Sequence, residues 1–198
     1  MQVCVYCASS AIINSAYFEA TKALAKLFVE QDIKVVYGGG SSGLMGCLAD
    51  EMLVRGGEVK GIMPKFMNEV EWAHKQLENL ELTETMQERK TKFLEGTDAI
   101  VALPGGTGTL EELFEAMSFK RLGLFTKPIL ILNTAGFYDP LLDMLERMVE
   151  QGFMNEEHRQ LYTVFSEPEK FNQALEQAQP WSSEAIKFAS ARIGNEQA

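Results

Sequence analysis

This chain predicts a three-layer α/β fold, a doubly wound parallel sheet with helices on both faces. Three observations predict it. Short apolar runs alternate with longer helix-like segments along almost the whole length. Two of those runs end in glycine-rich turns that open helices. No repeat, low-complexity tract or linker breaks the alternation. Such alternation means crossover βαβ units, and these place helices on both faces of a parallel sheet.

In order, residues 3–7 read as a strand and 15–31 as a helix, then 33–37 and 43–55 repeat the pair. Residues 59–63 form a strand ending at Pro64, and 66–76 have no clear type. Residues 80–82 and 86–95 give a short strand and a helix, and 99–103 and 110–122 the next pair. Residues 128–132 and 138–150 follow, then 162–165 and 168–178. The fully apolar run 99–103 suits a strand buried on both faces. A tail from Pro180 adds a short helix, so residues 1–180 are read as one domain and 181–198 as a C-terminal tail.

The 198 residues fit one large α/β domain, and a 46% hydrophobic content supplies its core. A net charge of −10 argues against a nucleic-acid partner or an anionic membrane face. An anionic ligand must therefore find a local positive site. No apolar stretch reaches the roughly 18–20 residues of a membrane span, and the N-terminus reads as a strand, not a signal peptide. Three cysteines, an odd count, suggest reduced thiols and a cytoplasmic home. Cys4 and Cys7 form a C-x-x-C, but on a strand their side chains point to opposite faces, so buried structural thiols are expected. The two histidines, His74 and His158, lie far apart, and no metal site is expected.

The most informative stretch is Pro104-Gly105-Gly106-Thr107-Gly108-Thr109, between a strand and a helix. Glycines let a ligand approach the backbone, and a helix N-terminus offers free N–H groups and a positive dipole end, which suits a phosphate. Glu111 and Glu112 follow at once and are expected in the helix's first turn. Thr109 and Glu112 also match a capping box. That accounts for the two residues but not for the glycines upstream. A second glycine turn, Gly38-Gly39-Gly40-Ser41-Ser42-Gly43, fits G-x-G-x-x-G. The next strand ends Gly61-Ile62-Met63-Pro64 without the acid that would hold a dinucleotide's ribose. A mononucleotide or sugar-phosphate turn fits better, and a tight turn with Ser41 or Ser42 as helix cap is the alternative.

Arg89 and Lys90 fall near the start of a helix that Thr85 and Glu88 would cap. Cations there oppose the macrodipole. At about 100° per residue, Met86, Phe93 and Leu94 define an apolar face with Lys90 inside it and Arg89 at its edge. This points to a bound anion or a buried carboxylate partner, with snorkelling side chains on a surface helix as the alternative. Ser9 and Ser10 end the first strand, where they would either donate to a phosphate or sugar or simply form the turn that approaches the next helix. Glu71 and His74 sit in the segment of no clear type, where His74 reads as a packing or polar-contact histidine and not a catalyst. The face Met144, Leu145, Met148, Val149 reads as core or subunit contact.

Together Gly38-Gly39-Gly40-Ser41-x-Gly43-Leu44-Met45-Gly46, Met86-x-x-Arg89-Lys90 and Pro104-Gly105-Gly106-x-Gly108-Thr109-x-x-Glu112 resemble the LOG ("Lonely Guy") family over roughly the first 170 residues. Its members are cytokinin riboside 5′-monophosphate phosphoribohydrolases, many once labelled lysine decarboxylases. The resemblance implies a modified Rossmann fold, a homodimer and no cofactor. It also implies cleavage of the N-glycosidic bond of AMP or an N6-substituted purine nucleoside 5′-monophosphate, an AMP-nucleosidase-type reaction. By the same resemblance Arg89 and Glu112 match the catalytic pair. Ser9, Gly39, Gly40, Gly43, Met86, Lys90, Gly105, Gly106, Thr107, Gly108 and Thr109 match substrate-binding positions. The chain departs from the pattern at Ala8, where members often have Gly, and at Thr107, where plant members usually carry an aromatic. A non-catalytic nucleotide or molybdenum-cofactor carrier is the alternative.

Overall fold

The computed structural model describes residues 1–69 and 73–189, so Glu71 and the last nine residues of the tail lie outside the described residues. Strands β1 (Gln2–Tyr6), β2 (Lys34–Tyr37), β3 (Val59–Pro64), β4 (Leu80–Thr83), β5 (Ala99–Ala102), β6 (Ile129–Leu132) and β7 (Thr163–Phe165) alternate with helices. The helices are α1 (Ser15–Glu30), α2 (Gly43–Val54), α3 (Met86–Leu94), α4 (Thr107–Arg121), α5 (Asp139–Glu150) and α6 (Phe171–Gln177). The ambiguous segment opens with a 3₁₀ turn, Lys65–Glu69, and another, Ser183–Phe188, lies in the tail.

The seven strands form one sheet in the order β4-β3-β2-β1-β5-β6-β7, and every pairing is parallel. The doubly wound fold expected from the alternation is the fold observed. β1 and β5 are fully buried apart from the first residue, Gln2, because each face of the sheet carries its own apolar layer. Val3, Val5, Leu24, Phe28 and Leu48 fill one layer. Cys4, Tyr6, Phe93, Leu113 and Ile131 fill the other. Cys4 and Cys7 are both buried, on opposite faces as strand geometry requires.

The chain builds outward from β1 to β4, then crosses back to place β5 on the other side of β1. The switch point therefore lies between β1 and β5, and ligands in such folds bind outside the carboxyl ends of the strands there. Both sides of that gap are tied: Ala8 N–H donates to the Pro104 carbonyl (3.3 Å) and Leu103 N–H to the Tyr6 carbonyl (2.9 Å).

One helix start differs from expectation, with consequences for the site. α4 begins at Thr107, not at residue 110, with extended Gly106 as its N-cap. Leu110 N–H already closes a helical turn onto the Gly106 carbonyl (3.0 Å). Thr109 is thus the third helical residue, and the Thr109–Glu112 capping box does not form. Glu111 and Glu112 sit in the second turn, and α4 has no acidic residue in its first. Glycine's low helix propensity favours a loop reading of the turn, yet the helix runs back through Gly108. At α3 the expectation holds for the Thr85 side chain, which accepts from Glu88 N–H (3.0 Å). The Glu88 carboxylate reaches one residue further back, to Glu84 N–H (2.8 Å).

Candidate active site

A cavity of about 290 Å³ opens at the β1/β5 switch point. Ser9 lines it from the loop after β1, Met67 from the 3₁₀ turn after β3, and Met86 and Arg89 from α3. Residues 106–109, Glu111 and Glu112 line it from the β5–α4 turn and α4. A depression of similar size, about 300 Å³, lies at the opposite, amino end of the sheet between Lys34, Glu58 and Asn79. It is far from both glycine turns and at the wrong end of the strands for ligand binding.

Arg89 is the most constrained residue of the site. Its side chain is only 7% exposed. Nη1 pairs with Glu112 Oε1 at 3.0 Å, Nε donates to the Ile62 carbonyl at 3.1 Å, and the guanidinium lies 4.7 Å from the Phe93 ring centre. A buried cation needs a partner of this kind. The helical spacing that put Arg89 at the edge of an apolar face was reporting the pair with Glu112. Beneath the pair, burial pushes the Tyr6 phenol and Cys4 thiol well up from their ordinary values, and the Glu112 charge adds to both shifts. Both groups are therefore neutral around pH 7.

Lys90, one residue on, faces elsewhere. It pairs with Glu111 (2.6 Å) and Glu115 of α4, and so straps α3 to α4 beside the cavity. Burial works against its charge, but the two carboxylates outweigh this and raise its pKa.

The two glycine turns contribute differently. In the β5–α4 turn, a Cβ added at Gly106 or Gly108 would meet nothing within 4 Å. Gly106 makes no side-chain cap bond, so the first amides of α4 open onto the cavity. In the β2–α2 turn the protein itself fills the space. Leu44 and Met45 N–H both donate to the Ala8 carbonyl (2.9 and 3.2 Å), and Gly43, at φ +61°, packs against the Ser9 and Ser10 backbone. Ser42 is the N-cap of α2 but makes no side-chain cap bond.

Of the residues singled out from sequence, Ser9, Met86, Arg89, Gly106, Thr107, Gly108, Thr109 and Glu112 are brought together around the cavity. Gly39, Gly40, Gly43, Lys90 and Gly105 do not line it; they sit behind it or beside it. Val5, Cys7, Ala8, Gly38, Met45, Met67 and Glu111 also line it and are not among the ligand contacts expected from sequence. Met45 was visible inside the glycine motif, whereas Met67 fell in the segment whose pattern matched neither helix nor strand. His74 is buried, with Nε2 2.9 Å from Asp50 and its N–H on the Gly39 carbonyl, and ties that segment to the first turn. No group of three or more potential metal ligands occurs among the described residues.

A parallel α/β sheet with a cavity at its switch point, an open helix N-terminus and a buried arginine–glutamate pair defines a Rossmann-like ligand-binding protein. Comparison with known proteins gives the family. A family model described as "Possible lysine decarboxylase" matches residues 45–175. The chain is 37% identical over 179 residues to the cytokinin riboside 5′-monophosphate phosphoribohydrolase LOG2 of Arabidopsis thaliana, covering 90% of this chain and 84% of that protein. It is 34% identical over 199 residues to LOG3 of the same plant, covering 96% and 93%. The chain belongs to this family, the LOG phosphoribohydrolases. In fold it also resembles the molybdenum cofactor carrier protein of Chlamydomonas reinhardtii, with a TM-score of 0.68 at 17% identity over 89% of this chain and 96% of that one. The molybdenum cofactor binding protein of Rippkaea orientalis is similar at 0.66 and 19%, over 88% and 94%.

Proposed function

We propose that the protein hydrolyses the N-glycosidic bond of purine nucleoside 5′-monophosphates, AMP or N6-substituted cytokinin-type relatives, releasing the free base and ribose 5-phosphate. The observation that carries this is the Arg89–Glu112 pair at 3.0 Å, buried beside the open N-terminus of α4. Family membership supports it, since the curated relatives are named as enzymes of this kind.

In this reading the 5′-phosphate rests on residues 106–109, where helix amides and dipole favour an anion. Glu112 lies five residues beyond Thr107, ~7.5 Å along the axis at 1.5 Å per residue. That offset suits a ribose between phosphate site and carboxylate. As the C1′–N9 bond breaks, positive charge grows on the sugar. Glu112 stabilises it and takes a proton from the attacking water, while Arg89 holds the carboxylate and offsets negative charge on the departing purine. An arginine is a poor proton donor, so the proton for the base comes from another group or from solvent. Met45, Met67 and Met86 give the base soft apolar surfaces. A Schiff-base decarboxylase needs a lysine in its cavity. Among the described residues none lines this one, and nearby Lys90 is engaged by Glu111 and Glu115.

The reading includes a cytoplasmic homodimer. The support for a dimer is an apolar groove on α5 and the turn after it, where Met144 (50% exposed) and Phe153 (77% exposed) face outward. No helix among the described residues is long and apolar enough to cross a membrane.

The test is chromatography of products from AMP and adenosine, with wild type and Glu112→Gln. Wild type releases adenine from AMP and far less from adenosine. Glu112→Gln lowers kcat by roughly 10²–10⁴ while the protein stays folded. Full activity of the Gln variant removes the role of Glu112, and equal turnover of adenosine removes the phosphate site. Tight retention of nucleotide without adenine release favours a carrier.

A further inference from the structure

Gly38 opens the β2–α2 turn, yet its backbone does not demand glycine, because its φ is not among the positive values of the chain. Steric surroundings demand it instead. A Cβ at this position would stand 2.6 Å from Arg89 Nη2 and 2.9 Å from Met45 Sδ. Both distances are far inside van der Waals contact, so something must move.

The two neighbours differ in their freedom to do so. Met45 ends in an unbranched thioether that adopts other rotamers readily. Arg89 is held on three further sides, by the Ile62 carbonyl, the Phe93 ring and Glu112. Any displacement of its guanidinium breaks or lengthens one of those contacts. The missing side chain of Gly38 is the fourth wall of the Arg89 seat.

We infer that Gly38, which also lines the cavity, is a positioning residue: it leaves the space in which the Arg89 guanidinium aligns with Glu112. The inference rests on the reading of Arg89 and Glu112 as the catalytic pair. It gives the first glycine turn a role in the reaction that is not phosphate binding.

The experiment combines Gly38→Ala with two backgrounds. Alone, it should lower kcat for AMP by roughly 10–100-fold, the scale of a misplacement below 1 Å, with KM changed less than threefold. Adding Met45→Ala removes the other close contact among the described residues and should not restore kcat relative to Met45→Ala alone. Restoration would assign the clash to Met45 and overturn the inference. In an Arg89→Lys background, which keeps the charge but has no Nη2, Gly38→Ala should no longer lower the melting temperature, whereas it does so in wild type. An equal drop in both backgrounds would also overturn it, as would a rise in KM at unchanged kcat. If the base-release reading itself fails, wild type produces no adenine, and the melting-temperature comparison still decides whether Gly38 and Arg89 are coupled.

Discussion

The β2–α2 and β5–α4 turns carry the same signature, glycines between a buried strand and a helix, and they meet at the same end of the sheet. Their glycines exist for different reasons. In the first turn the protein fills the space: Gly38 faces Arg89, Gly39 faces Leu80 and Gly61, and Gly43 faces the Ser9–Ser10 backbone. Its helix amides are spent on the Ala8 carbonyl. In the second turn Gly106 and Gly108 face open space, and the amides of α4 open onto the cavity. The first turn is mostly filled by protein; in the second only Gly105 is, where an added Cβ would collide with Thr109 Oγ1, while Gly106 and Gly108 stay open. A glycine motif in a sequence reports close approach; only the structure says whether the approaching group is protein or ligand.

Alanine tells the two turns apart. At Gly43 a Cβ would come within 2.5 Å of the Ser10 carbonyl oxygen, on a backbone at φ +61°. Gly43→Ala should therefore cost at least about 2 kcal/mol, lowering the melting temperature by roughly 4–8 °C. Gly106→Ala meets no atom and should change stability by under about 0.5 kcal/mol. Its effect should appear in KM for AMP, raised about tenfold, roughly 1.4 kcal/mol of lost binding. Calorimetry and steady-state kinetics on both variants check the pair. If Gly43→Ala raised KM at unchanged stability, or Gly106→Ala unfolded the protein, the contrast would fail.

Helix caps sharpen the contrast on a smaller scale, and they also show how much the sequence disclosed. The strand and helix order was legible because buried parallel strands leave uninterrupted apolar runs, such as Ala99–Ala102. Arg89 stood out because a cation on an apolar helix face requires a partner. The start of α4 differs from the sequence expectation because tertiary context overrides glycine's low helix propensity, and periodicity is silent there. Thr85–Glu88 and Thr109–Glu112 have the same spacing, yet only Thr85 caps. The role of Gly38 was hidden because its partner, Arg89, lies on another element, and for Lys90 the sequence pointed to an anion or carboxylate but not to Glu111 and Glu115 on α4. Thr85→Ala should cost about 1 kcal/mol in thermal unfolding. Ser42→Ala, which loses no cap bond, should stay within about 0.5 kcal/mol. A large loss at Ser42 would mean that the first turn depends on a side-chain bond and not on the Ala8 carbonyl.

The last difference between the turns is their response to pH. The first is secured by backbone hydrogen bonds, which do not titrate. The second is braced through α4 by Lys90, whose ammonium bridges to Glu111 and Glu115. Burial opposes the Lys90 charge, the two carboxylates outweigh it, and the folded-state pKa is raised. A base with a raised folded pKa contributes stability that is fully present below its unfolded value and fades as pH climbs through the folded one. The strap should therefore hold throughout neutral pH and weaken only above the ordinary lysine range. Both partners are only partly exposed, at 16% and 17% for Lys90 and Glu115, and the contribution should be under about 1 kcal/mol. Lys90→Met should lie below wild type in melting temperature by a constant gap at neutral pH, and the gap should close in strongly alkaline buffer. Hydrogen exchange should localise the weakening to α3 and α4, leaving the amides of Leu44 and Met45 protected. A gap that stays open at high pH would show that Lys90 braces α4 through its apolar stem and not through its charge.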